Sequence, residues 1–114
     1  MSAITTHVLD LKLGKPGAGI AVALERESDT AQWEALGNAV TDLNGRATDL
    51  LSADNVFVPG HYRLIFETGD FFASSGGDVF FPQVTITFVV RDTSQHYHVP
   101  LLLSPYGYST YRGS

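Results

Sequence analysis

A chain of 114 residues, 44% hydrophobic and 17% charged, has the size and composition of one folded domain, here 1–114, and excludes intrinsic disorder. Seven basic residues against twelve acidic ones give a net charge of -5 with no lysine or arginine cluster, which argues against a nucleic-acid partner. With no cysteine there is neither a disulfide nor a thiolate, so any chemistry must use oxygen and nitrogen groups.

The opening stretch MSAITTHVLDLKLG lacks a basic leader followed by a long apolar run. No window approaches the roughly 18 apolar residues of a membrane helix, so a cytoplasmic protein with no membrane partner is expected. A mature periplasmic protein would read the same way. Within TTHVLD, alternation groups His7 with Thr5, Leu9 and Leu11, setting an imidazole in a largely apolar row. Such a histidine is either a hydrogen-bonded structural group or part of a ligand-lined surface.

Beyond the turn cluster GKPGAG (14–19), GIAVALERE places Ile20, Val22 and Leu24 on one strand face. The Asn-Gly pair in TDLNGRATDL marks a turn that would hold Arg46 at the rim of the fold, where a plain solvated arginine is the alternative. In HYRLIFE, Tyr62, Leu64 and Phe66 share a face. ETGDFFASSGG (67–77) is the one plausible helix, with Thr68 or Asp70 as cap and Gly76 or Gly77 as stop. VTITFVV again alternates, Val84, Ile86, Phe88 and Val90 against Thr85 and Thr87. This period of two, broken by turn signals, predicts an all-β fold of about seven or eight strands in a two-sheet sandwich.

In HYHVPLLL, His96 and His98 must project together with Pro100 and Leu102, while Tyr97, Val99 and Leu101 face the other way. Pro100 donates no ladder bond, so an edge or irregular strand is expected. Two imidazoles on one face can reach a zinc ion, but the candidates for a third ligand, His7 and His61, lie far off with no recognisable spacing. No metal or other cofactor is expected. No G-x-S-x-G elbow supports a serine nucleophile. Alternation through YGYSTYRGS predicts a terminal strand with Ser109, Tyr111 and Gly113 on one face and Tyr106, Tyr108, Thr110 and Arg112 on the other.

Taken in order, THVLD, NGR, HYHVPLLLSP and YRGS resemble the signature set of the 5-hydroxyisourate hydrolases, the enzyme branch of the transthyretin-like proteins. The resemblance continues through GKPGAGIAVALER, PGHYRLIFETGDFF and FFPQVTITF. It implies a transthyretin-like sandwich of two four-stranded sheets with one short helix, assembled as a homotetramer, a dimer of dimers with metal-free sites at the dimer-dimer interface. The implied reaction is hydrolysis of 5-hydroxyisourate to 2-oxo-4-hydroxy-4-carboxy-5-ureidoimidazoline in urate degradation.

By the same resemblance, His7, Arg46 and His98 are the catalytic positions, and they bind substrate together with Tyr111. Ser109, Arg112 and Ser114 are candidates for support around the terminus. His98 would activate water, with His7 placing the water or assisting proton transfer, because histidine titrates near neutral pH. Arg46 would steady the developing charge and Tyr111 would cover the substrate face. His96 shares the face of His98, but the family gives the main role to the second histidine. Transthyretin, the hormone carrier, resembles the chain over SPYGYST yet lacks the two histidines, the arginine and the YRGS ending. A small-molecule binding module without turnover is therefore the alternative reading.

Overall fold

Period-two alternation governs which residues reach the interior. In the computed structural model, which describes residues 3–114, the first strand β1 (Ile4–Asp10) buries Ile4, Thr6, Val8 and Asp10 on one side while His7 and Leu9 stay half-buried on the other. The remaining elements are β2 (Lys15–Pro16), β3 (Ala21–Glu27), β4 (Trp33–Val40), β5 (Arg46–Ala47), β6 (Gly60–Phe66), α1 (Thr68–Ser74), β7 (Val84–Val90), β8 (Tyr97–Ser104) and β9 (Gly107–Thr110).

Two sheets form, one in the order β2-β1-β8-β9 with β5 also on β1, the other in the order β4-β3-β6-β7. β1 runs parallel to β8 along its whole length, so β2 and β5 share its opposite edge, β5 beside Thr6 and His7 and β2 beside Leu9 and Asp10. The first sheet is thus four strands wide, with one edge position divided between two short strands. That is the expected sandwich, with a split edge that alternation could not reveal because a two-residue strand carries no period.

Between the sheets, Val22, Leu24, Tyr62, Leu64, Phe66 and Val84 pack toward Ile4, Val8, Leu101 and Leu103, all fully buried. Each such side chain contributes about 1.5–3 kcal/mol through removal from water. Tyr62 can sit there because its hydroxyl donates to the Val58 carbonyl at 2.5 Å.

One local expectation is corrected, and of the two alternatives at Pro100 the irregular strand is the one found. Thr68 and Asp70 do not cap α1: the cap position is Glu67, without a side-chain cap bond, and the Thr68 hydroxyl instead donates to the Phe81 carbonyl at 2.7 Å. Tying the helix to the loop before β7 won over capping it. Pro100 is not on an edge, since β8 lies between β1 and β9. The carbonyls of His98 and Pro100 both point toward the terminal segment, accepting from the Gly113 amide and the Thr110 hydroxyl, so the missing Pro100 donor faces that side. There the β8-β9 ladder is interrupted between Leu101↔Thr110 and His98↔Gly113, and the lost bond falls in the gap.

Candidate active site

The face of the first sheet turned away from the core gathers the polar residues of four segments. Thr5 stands opposite His98 and His7 opposite Pro100 in the β1-β8 pair, and His7 stands opposite Arg46 across β1-β5. Paired residues project to the same face, so register alone brings His7, Arg46 and His98 together. A pocket of about 200 Å³ opens on this face, lined by Thr5, Thr6, Arg46, Thr48, His96, His98 and Ser114. His7 adjoins it and is close enough for its charge to act on His98.

Arg46 is delivered by the turn before β5. Asp42 accepts from the amides of Asn44 and Arg46 at 2.8 and 3.0 Å, while its own amide donates to the Arg46 carbonyl. These bonds, led by the Arg46 amide, hold the Asp42 carboxyl below the usual aspartate range. Gly45 occupies the left-handed region at φ 77°, and a Cβ there would stand 2.4 Å from the Val8 carbonyl oxygen. Only glycine lets the turn lie this flat on β1.

His98 is held on two sides. Its Nδ1 lies 2.8 Å from Thr5 Oγ1, the same oxygen that meets His96 Nε2 at 2.9 Å. On its other edge the terminal segment presses in: a Cβ on Gly113 would come within 2.6 Å of His98 Cδ2. Burial first, and then the nearby Arg46, His96 and His7, push the His98 pKa below its usual 6.5. A neutral imidazole next to a guanidinium can accept a proton and leave the new charge on the oxygen to the arginine.

The terminal strand is shorter than expected. β9 ends at Thr110, and the chain touches β8 again only where the Gly113 amide donates to the His98 carbonyl at 2.8 Å. The two contacts share one register, which sets Tyr111 beside Pro100 and Arg112 beside Val99. Arg112 turns away from the pocket, its guanidinium 4.4 Å over the Tyr97 ring and donating to Gln95 Oε1 at 2.8 Å. Tyr111, 57% exposed, borders a groove between the sheet edges with Ile86, Phe88 and Val99 rather than the histidine pocket. Ser109 lies opposite Leu102 on exposed β9, and Ser114 reaches the pocket.

Among the described residues no group of three or more His, Asp or Glu is arranged to hold a metal ion. Four contributors have no role assigned from sequence: Thr5, Thr6, Thr48 and Asp42. The signal for Asp42 was present as an Asx-turn residue ahead of Asn-Gly, whereas the role of Thr5 depends on the pairing of β1 with β8.

The model of the HIUase/Transthyretin family matches residues 4–113. The chain belongs to the HIUase/Transthyretin family. Within that family it is 49% identical to a 5-hydroxyisourate hydrolase of Caulobacter vibrioides, over 100% of both chains. It is also similar to the solved structure of the Klebsiella pneumoniae 5-hydroxyisourate hydrolase, with a TM-score of 0.85, 41% identity and 100% of each chain covered. The thyroxine complex of sea bream transthyretin superposes with a TM-score of 0.90 at 26% identity, covering 97% of this chain and 94% of that one. The backbone is thus common to hydrolase and carrier, and the distinction must come from side chains.

Proposed function

We propose that this chain hydrolyses 5-hydroxyisourate, opening its lactam ring to 2-oxo-4-hydroxy-4-carboxy-5-ureidoimidazoline. The observation that carries the reading is the convergence of a neutral-leaning His98 with Arg46 and His7 around one polar pocket. A carrier needs no proton acceptor there. His98 removes a proton from water as the oxygen attacks the lactam carbonyl. The guanidinium of Arg46 stabilises the oxyanion, the ring C–N bond breaks, and the proton passes to the departing nitrogen. His7, beside Arg46, places the water.

The working form is proposed to be a homotetramer, a dimer of dimers. Supporting this, Leu11, Leu13, Tyr106 and Tyr108 are exposed, and the outer edges of β7 and β9 are open. Tyr111, exposed and outside the histidine pocket of its own chain, is proposed to join the substrate only in that assembly.

The test is direct: urate and urate oxidase generate 5-hydroxyisourate, whose absorbance should decay faster than spontaneously when the protein is added. Decay at the spontaneous rate, together with saturable binding of the compound, would favour a binding module instead.

A further inference from the structure

One hydroxyl serves two histidines. Thr5 Oγ1 lies 2.9 Å from His96 Nε2 and 2.8 Å from His98 Nδ1, and Thr5 is only 3% exposed, so water is poorly placed to replace either contact. A threonine hydroxyl has a single proton to give and two lone pairs. It can donate to one imidazole while accepting from the other, or accept from both, but it cannot donate to both. At least one of the two facing nitrogens must therefore carry hydrogen.

We propose that Thr5 is a positioning residue that fixes the tautomer of His98, resting on the reading of His98 as the base. His98 Nδ1–H donates to Thr5 Oγ1, and the Thr5 hydroxyl donates in turn to His96 Nε2. This leaves His98 Nε2 unprotonated and able to take the proton of water. The reverse arrangement, His96 Nε2–H to Thr5 and Thr5 to His98 Nδ1, would place hydrogen on His98 Nε2 and remove the base. When His98 gains its proton, Nδ1–H still has an acceptor, and the imidazolium is stabilised along the chain of three groups.

Because Gly113 carries no side chain, the terminal backbone can lie against the Cδ2 edge of His98 and leave the Nδ1 edge to Thr5. The chain of bonds also gives His96 a task without substrate contact, as the acceptor that biases the Thr5 hydroxyl. The sequence carries Thr5 in the same alternating row as His7, one strand away from the histidines it serves.

The experiment compares T5V, which keeps the shape and loses the hydroxyl, with T5S, which keeps the hydroxyl, by imidazole nitrogen NMR and by steady-state kinetics. In the unsubstituted protein above its acid limb, His98 should show hydrogen on Nδ1. In T5V that preference should be lost, and kcat should fall on the order of 10- to 100-fold with little change in KM. T5S should retain both. A His98 with hydrogen on Nε2 in the unsubstituted protein would overturn the proposal. So would a T5S defect equal to that of T5V, since packing of the methyl would then be the cause. An H98N protein with full turnover would remove His98 as the base, a failure distinct from the tautomer itself, which the NMR reads without substrate.

Discussion

At the residue scale the quantity that controls the proposed reaction is the proton affinity of His98. Its folded pKa lies below 6.5, chiefly from burial and next from Arg46. The neutral base is therefore retained as pH falls through 6.5 and is lost only below that value. A kcat/KM profile should accordingly show an acid limb with its midpoint under 6.5, and a midpoint above it would contradict this electrostatic account. In the proposed reaction Arg46 acts twice, as the stabiliser of the oxyanion and as a charge opposing protonation of His98. Arg46→Ala should thus lower turnover by on the order of 10² to 10³ and also move the acid limb upward. A loss of rate with an unmoved limb would separate the two roles and refute the second.

At the element scale the site depends on how short segments close onto β1 and β8. The turn from Asp42 to Arg46 is fixed by hydrogen bonds to one carboxylate and by the close approach of Gly45 to Val8. The terminal segment depends on Gly113, where the hydrogen bond to His98 and the absence of a side chain bring the backbone against the imidazole. Gly113→Ala should push the ring or the terminus aside while leaving the buried core untouched. Thermal unfolding is then expected to stay near that of the parent protein while kcat falls by at least about tenfold, as expected when a reacting group is misplaced. Undiminished kcat would mean that the terminus does not hold His98.

For the whole molecule, the two sheets bury one side of each strand and leave edges to be covered. Val89, Tyr106, Tyr108 and Tyr111 are exposed along the side where β7 and β9 end their sheets. Open strand edges flanked by exposed apolar and aromatic side chains favour association with further chains. If the working form is the tetramer, sedimentation at rising dilution should show the sedimentation coefficient and the specific activity falling together. Full activity in a sedimenting monomer would show that one chain completes the site.

Sequence alone determined the all-β class, the inward residues of β3, β6, β7 and β8, and the shared face of His96 and His98, because strand alternation is a local property of the backbone; in β1 it picked out the row of His7, Leu9 and Leu11, which faces away from the core. Through the family resemblance the four motifs marked His7, Arg46, His98 and Tyr111, of which strand register brings the first three together. Tertiary structure decided what no local rule contains. The parallel pairing of β1 with β8 puts the Thr5 hydroxyl between two imidazoles more than ninety residues away, and the interior position of Pro100 became possible because its missing donor faces a gap in the ladder. Within one chain it also parted Tyr111 from the pocket and brought Ser114 into it. Register between distant strands depends on the packing of both faces at once, so those contacts arise only when the sandwich closes.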